Sequence, residues 1–401
     1  MARAPRILLV VNGRASASGI ANLFLGEIVK RYPTGRLVRR SLIPAGPVPP
    51  PETWLGIPAS SSAAQSSVLP GWSSLREWAF WAVGAKRTID DIRRQASREK
   101  FDLIWFILNS PSVIHLVQPL AKALELPYIA TVWDPPEYFL SNMHIDSCTA
   151  GVLRSKFRAA LMGARRVSVI GAGMRAEYKR SMGVEGVVLN HGIAPELWHR
   201  QRIALREPDK LTVGFAGSLY AKQEWNALLR ALSRNRRMIA GRRVAIRFVG
   251  RKPRLGAADA DFVRHLGECS LERTNEVLAG VDLCYLPYWF SARRRVEARL
   301  SFPSKLSSYV ASGGAVFIHA PSYSSPALFH QKYPVGVSCE SLEARPIVAA
   351  LERFVEDESL RQTAAAARTA ALEQELGLPV MLERFGEFSE VDLRDRERLV
   401  S

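Results

Sequence analysis

The strongest constraint on the fold is an alternation of short apolar runs with helix-like segments, repeated in two successive blocks. The apolar runs of the first block cover 6–11, 37–43, 101–108, 128–133, 166–170 and 186–189. Those of the second cover 211–216, 244–249, 262–266, 283–286 and 315–319. Strands covered by helices on both faces are apolar throughout instead of alternating. The pattern therefore predicts two Rossmann-like α/β domains, each with a doubly wound parallel sheet.

The boundaries of these domains follow from where the alternation stops. Residues 197–209 break it and are predicted to form a linker between domains at 1–196 and 210–381. A length of 401 residues suits two domains. Because open α/β sheets bind ligands at the carboxyl ends of their strands, the two domains are expected to face a shared cleft.

Composition narrows the partners and the compartment. The 55 basic and 38 acidic residues give a net charge of +17, which suits nucleic acid, a membrane surface or a phosphorylated substrate, or serves solubility alone. The four cysteines are scattered without a Cys-x-x-Cys pair, so neither zinc nor a disulfide framework is expected. No apolar run reaches the roughly 20 residues of a membrane span, and a cytoplasmic location is expected.

The segment 301–314 carries the strongest chemical signal. It predicts a helix over 303–311 that is capped by Ser301 or Phe302 and has Lys305 in its first turn. A cation there opposes the helix dipole, and a broken local rule often marks a functional site. A pyrophosphate held by Lys305 and the free backbone N–H groups of this helix end would explain the placement, with Pro303, Ser304 and Leu306 as the donor-binding residues of the turn. A lysine that merely extends into solvent would also fit.

Two weaker signals are turns of small residues after apolar strands. In 213–222 a buried strand leads to Gly217 and Ser218, and Lys222 stands just before a helix where it could neutralise a phosphate. The loop from Asn12 to Gly19 would let a substrate approach the backbone closely. An ordinary strand-to-helix turn explains either pattern equally well, and neither the dinucleotide-binding nor the P-loop motif is present.

Taken in order, these segments resemble glycosyltransferase family 4 and its GT-B relatives. The resemblance covers about residues 5–380. It is carried by the loop at 18–19, the strand ends at 131–134 and 188–193, and the segments 214–220, 248–250, 278–287 and 302–306.

The resemblance implies sugar transfer from a nucleotide-sugar donor, with retention and without a bound metal or other cofactor. It assigns the donor to the C-terminal domain and the acceptor to the N-terminal one, with a closing helix at about 382–401 packed back on the first domain. Lys222 and Lys305 are predicted to bind the pyrophosphate, with Gly217, Ser218 and Arg251 around the donor. Gly19 and Asp134 are predicted on the sugar or acceptor side, where Glu137 is a further candidate; a structural carboxylate would look the same.

The chain departs from the family at three positions. The family usually has glutamates where Ser308 and Leu300 stand, and often a histidine where Trp133 stands. Glu297 is the nearest remaining carboxylate. These departures keep open a catalytically inactive GT-B subunit that binds a partner, and an epimerase acting on nucleotide-sugars remains a further alternative.

Two other classes are weaker. A metal-dependent GT-A enzyme would need an Asp-x-Asp after a strand, but Asp259 and Asp261 precede one. A nucleic-acid binder would interleave basic and aromatic residues, as 288–295 does superficially, although a phosphate of the donor or acceptor is a more economical partner and nucleic acid is not expected.

The helix predicted over 74–98 suggests a membrane surface. Its apolar stripe is expected to face the core, while Phe80 and several arginines face outward toward an anionic bilayer or a lipid-linked acceptor. The predicted core stripe comprises Leu75, Trp78, Ala82, Ala85, Ile89, Ile92 and Ala96; the arginines are Arg76, Arg87, Arg94 and Arg98. Trp54 and Trp72 would extend the surface, and packing of Phe80 beneath the Pro-rich segment 44–71 is the alternative.

Overall fold

The computed structural model describes residues 4–12, 20–42, 71–256 and 259–391. The chain divides into two compact units. The first comprises Met1–Asn190 with Leu382–Ser401, and the second comprises His191–Met381. Residues 191–209 thus belong to the second unit, where 198–209 form irregular backbone.

The first unit contains a six-stranded parallel sheet. Its strands are β1 (Ile7–Val11), β2 (Leu37–Ser41), β3 (Leu103–Ile107), β4 (Tyr128–Val132), β5 (Arg166–Val169) and β6 (Gly186–Val188), in the order β2-β1-β3-β4-β5-β6. Its helices are α1 (Ile20–Val29), α2 (Trp72–Ala79), α3 (Ala85–Ala96), α4 (Pro111–Leu124), α5 (Pro136–Asn142), α6 (Ser147–Met162) and α7 (Ala172–Met182). The chain turns back between β1 and β3, which makes this pair the topological switch point of the sheet.

The last helix, α15 (Leu378–Ser389), carries the chain back to the first unit. Phe385 and Phe388 are fully buried, and their ring centroids lie 5.3 and 5.9 Å from that of Trp105 in β3. These three aromatic rings hold the chain end on one face of the first sheet.

The second unit contains a seven-stranded sheet. Its strands are β7 (Lys210–Ala216), β8 (Met238–Ile239), β9 (Arg242–Val249), β10 (Val263–His265), β11 (Leu283–Pro287), β12 (Ala315–His319) and β13 (Gly336–Cys339). The parallel order is β10-β9-β7-β11-β12-β13, and β8 pairs antiparallel with β9. The helices are α8 (Lys222–Arg234), α9 (Leu271–Ala279), α10 (Arg295–Leu300), α11 (Lys305–Ala311), α12 (Ser325–Lys332), α13 (Ala344–Glu356) and α14 (Glu358–Ala371).

Each face of this second sheet has its own apolar core. Along β7 the side chains of Val213 and Phe215 join the cluster on one face, whereas Ala216 joins the other. Along β11, Tyr285 and Leu286 divide in the same way. The two doubly wound parallel sheets expected from the apolar runs are confirmed.

The core stripe predicted for 74–98 is wrong in its first half. Leu75 and Trp78 are exposed, while Ser74 and Glu77 are buried. The buried polar groups have partners there, because the Ser74 hydroxyl accepts a hydrogen bond from the backbone N–H of Asp146 and Glu77 lies beside Ser112.

A π-helical turn explains part of the difference between the predicted and the observed core-facing positions of 74–98. Residues Phe80–Gly84 form a π-helical turn, in which the N–H of Ala85 donates to the carbonyl of Phe80. The wider turn shifts the positions that follow, so Ala85 and Ile92 of α3 do face the core as predicted. No helix among the described residues combines the length and apolar character needed to cross a bilayer.

Candidate functional site

The switch point of the second sheet lies between β7 and β11. From β7 the chain continues to β9 on one side, while β11 pairs with β7 on the other. The connections therefore diverge above the strand ends at Ala216 and Pro287, where such sheets form their ligand-binding crevice. Gly217 and Ser218 lie at this edge.

Lys305 extends to the same edge from α11. This helix begins at Lys305 itself with Ser304 as its N-cap, so the predicted capping by Ser301 or Phe302 is wrong. The residue before Pro303 is disfavoured from helical geometry, and the helix starts only after the proline. Lys305 nevertheless occupies the first turn, as the sequence predicted.

The ammonium group of Lys305 is enclosed by aromatic rings. Its Nζ lies 4.2 Å from the ring centroid of Phe215 and 4.6 Å from that of Tyr220, and it donates to the carbonyl oxygen of Ser218 at 2.5 Å. Among the ion pairs of the described residues, none joins Lys305 to a carboxylate. Burial lowers the pKa of Lys305 to about 7. The arrangement suits an incoming anion, which would favour the charged ammonium.

Two glycines let the backbone come close beside this lysine. Gly217 has φ +91°, and a Cβ there would lie 3.7 Å from Cε of Lys305. Gly250 has φ +129°, and a Cβ there would lie 2.5 Å from the carbonyl oxygen of Gly217. Since no side chain fits between these residues, the ends of β7 and β9 meet as bare backbone at the candidate site.

Tyr309 on the buried side of α11 fixes the end of β7. Its hydroxyl accepts a hydrogen bond from the N–H of Ala216 at 2.9 Å and lies 3.3 Å from the carbonyl oxygen of the same residue. Leu306 and Pro303 are buried, so they position α11 and do not present side chains to a ligand. The contact with the donor that the sequence predicts for these two residues stays a prediction.

An aromatic wall adjoins Lys305 and was not predicted from the sequence. The ring centroids of Tyr220 and Trp289 are 4.8 Å apart, and both residues are partly exposed. The loop that carries Trp289 is held by Glu224, whose carboxylate accepts a hydrogen bond from the N–H of Phe290 at 2.8 Å. The sequence signal is the aromatic run directly after β11, for which the sequence favours a phosphate of the donor or acceptor over nucleic acid.

The remaining cations predicted at the donor have different surroundings. Lys222 is the exposed first residue of α8, which places it after β7 at the same edge of the sheet. Arg251 is 92% exposed, and its Nε lies 3.8 Å from Glu268. The structure therefore groups Lys305, Gly217 and Ser218 directly, with Lys222 close by in sequence.

The acceptor-side candidates lie in the first unit. Asp134 is partly buried just beyond β4, and Glu137 forms an ion pair with Arg154 at 3.1 Å. At the switch point of this sheet, the side chain of Asn109 bonds both the N–H and the carbonyl of Asn12. Gly19 lies outside the described residues.

Of the three positions at which the chain departs from the family pattern, one is buried, whereas Trp133 and Ser308 are partly exposed. Leu300 is buried, and Glu297 is buried with its carboxylate 2.9 Å from the guanidinium of Arg294. Asp261 is paired with Arg237 at 3.3 Å. Among the described residues, no group of three or more His, Cys, Asp or Glu side chains is arranged to hold a metal ion.

Comparisons with known proteins give the fold. Neither a protein-family model nor a curated protein matches the sequence. Sucrose-phosphate synthase from Thermosynechococcus elongatus superposes with a TM-score of 0.68 at 13% identity, over 97% of this chain and 98% of that one.

Two further solved structures match over similar lengths. Trehalose-6-phosphate synthase from E. coli, bound with UDP-2-fluoro glucose, has a TM-score of 0.65 at 11% identity, over 96% of this chain and 99% of that one. WaaG, a glycosyltransferase involved in lipopolysaccharide biosynthesis, has a TM-score of 0.61 at 12% identity, over 95% and 99%. The chain has the GT-B fold of these glycosyltransferases.

Proposed function

We propose that this protein is a glycosyltransferase that moves a sugar from a nucleotide-sugar donor to a glycan or a lipid-linked acceptor. The observation that carries the proposal is the Lys305 ammonium, caged by Phe215 and Tyr220 at the switch point of the second sheet. The likeness to a protein solved with UDP-2-fluoro glucose supports a nucleotide-sugar as the ligand.

In the proposed mechanism, electrostatics drives the departure of the nucleoside diphosphate. Negative charge grows on the leaving diphosphate as the bond to the sugar breaks, and Lys305 and Lys222 stabilise it. The bare backbone at Gly217 lets a phosphate approach, while Tyr220 and Trp289 offer ring faces to the sugar or the base. Retention of configuration and independence of metal ions belong to this proposal, as they do in family 4.

The acceptor side of the proposal uses the first unit. Asp134, just beyond β4, and Gly19 would contact the acceptor sugar. A lipid-linked acceptor, used in making a polysaccharide or glycoconjugate, would bring the protein to an anionic surface at the cytoplasmic face of a membrane.

A second candidate function is a catalytically inactive GT-B subunit that binds a partner. Glu297 favours it, because this remaining carboxylate is buried and held by Arg294 instead of being open to a ligand. An inactive subunit would bind donor without turning it over.

Titration calorimetry with UDP and other nucleoside diphosphates tests the donor site. Lys305→Ala and Lys222→Ala should each weaken the affinity about tenfold or more, since a charge-assisted contact contributes about 1.5–3 kcal/mol. Lys30→Ala, an exposed lysine of the first unit, is the matched control and should leave the affinity unchanged. Unchanged affinity in both site variants would overturn the assignment, and binding without sugar transfer would favour the inactive subunit.

A further inference from the structure

The outer side of α2 and the π-helical turn after it carries a concentration of exposed apolar side chains. Five of the eleven most exposed large apolar residues in the described chain fall within residues 72–83. We call them the apolar face: Trp72, Leu75, Trp78, Trp81 and Val83. Scattered single residues of this kind are ordinary, but a cluster on one helix marks a contact surface.

Two tryptophans of the apolar face are held in place by contacts with neighbouring helices. The indole N–H of Trp78 donates to the Thr149 hydroxyl of α6 at 2.9 Å. Trp81 stacks on His115 with ring centroids 6.1 Å apart, and Nζ of Lys156 lies 4.1 Å from the Trp81 ring centroid. The tryptophans are therefore held in place while 40% or more of their surface stays exposed.

Basic residues border the apolar face. Lys86 and Arg87 are exposed at the start of α3 immediately after Val83, and Lys156 lies over Trp81. The acidic Glu77 of α2 is buried, and burial raises its pKa to about 7, so it adds little negative charge to this surface. Tryptophans bordered by cations match the boundary between anionic headgroups and acyl chains.

We propose that the apolar face docks the protein onto an anionic lipid bilayer, with Trp72 and Leu75 entering the interface and Lys86 and Arg87 contacting headgroup phosphates. A second copy of the chain fits less well, because a two-fold contact would bring two copies of this cation-bordered face together without acidic groups on the face to offset their charge. The surface differs from the one predicted from the sequence, which had Phe80 outward and Leu75 and Trp78 inward. Its use with a lipid-linked acceptor rests on the proposed function.

Co-sedimentation of the full chain with vesicles tests the proposal. Wild type should pellet with phosphatidylglycerol-containing vesicles and stay in the supernatant with pure phosphatidylcholine. Trp72→Ser with Leu75→Ser should lower the partition coefficient about tenfold or more, through lost apolar burial. Lys86→Glu with Arg87→Glu should lower it by at least about fivefold per charge and reduce the salt dependence.

Matched control variants distinguish binding through the apolar face from non-specific binding through exposed apolar side chains or charges elsewhere. Met238→Ser with Leu328→Ser removes two exposed apolar side chains elsewhere, and Arg264→Glu with Arg345→Glu removes two exposed charges elsewhere. Both controls should bind as wild type. A loss in the controls equal to that in the face variants would overturn the proposal.

A quenching measurement guards against misfolded variants. Trp72→Phe with Trp78→Phe keeps most of the apolar area, so it should still pellet with anionic vesicles, yet lose much of the fluorescence quenching by brominated lipids. Wild type that remains in the supernatant with anionic vesicles at low salt overturns the proposal. A second outcome would also overturn it: wild type does not bind, and Trp72→Ser with Leu75→Ser lowers the melting temperature. These two results together would show that the apolar face contributes to folding and is not a binding surface. UDP affinity is measured on the same samples, so failure of lipid binding is distinguishable from failure of the donor site.

Discussion

Lys305 is the residue whose chemistry depends most on its surroundings. Phe215 and Tyr220 cover part of the ammonium group and supply only weak compensation for its charge. The pKa therefore falls from 10.5 to about 7. Between these two values the folded protein holds fewer protons than the unfolded chain, so this group makes the free energy of unfolding rise with pH across that range.

Binding of a diphosphate should have the opposite pH dependence. A bound anion favours the ammonium and raises its pKa, so binding takes up a proton and the affinity for UDP should fall above pH 7, by up to about tenfold per unit. Calorimetry between pH 7 and 9 measures it. Lys305→Arg should flatten the profile, because a guanidinium stays charged throughout. A flat wild-type profile would contradict the assignment of the anion to Lys305.

Gly250 is the residue whose backbone conformation allows the ends of β7 and β9 to approach each other at the candidate site. At φ +129° only glycine is comfortable, and an alanine Cβ would push against the carbonyl of Gly217. Gly250→Ala should lower the free energy of unfolding by about 1–3 kcal/mol and weaken UDP binding. Gly241→Ala is the control, because Gly241 also has positive φ but has no atom within 4 Å of its Cβ position. Denaturant melts and calorimetry should separate the two variants; equal effects would show that strain alone matters.

At the scale of the element, α15 is the clearest case of a distant segment completing a unit. Phe385→Ala should destabilise the first unit by about 3–5 kcal/mol, because a fully buried ring against Trp105 is lost. The exposed Met162→Ala at the end of α6 is the control and should stay within about 0.5 kcal/mol. Urea denaturation followed by tryptophan fluorescence measures both, and a small effect at Phe385 would mean that α15 is not needed for this core.

The elements also show where sequence patterns lose their predictive power. For β3 and β11, continuous apolar runs are sufficient, because both faces are covered and no polar alternative competes. For α2 the apolar stripe pointed the wrong way, since Ser74 and Glu77 find buried partners across the chain. Such partners lie tens of residues away in the sequence, so the local spacing of apolar residues carries no information about them.

At the scale of the whole molecule, the proposed independence of metal ions can be tested by chelation. A metal-independent transfer should survive EDTA with little loss of rate, because the charge on the leaving diphosphate is met by Lys305 and Lys222 instead of a divalent ion. Sugar transfer, or donor hydrolysis when no acceptor is known, is measured before and after chelation. Complete loss with recovery on adding manganese or magnesium would contradict the proposal and favour the metal-dependent class.

The sequence by itself determined the two α/β blocks, their parallel sheets and the position of Lys305 in the first turn of a helix. These properties depend on local periodicity, on proline and glycine, and on apolar runs, all of which are short-range. Only the tertiary structure decided that Lys305 is caged by aromatic rings, that Glu297 is held by Arg294, and that Leu75 and Trp78 face outward. Burial, charge pairing and exposure are set by residues far apart in the chain, and they become defined only when the sheets bring those residues together.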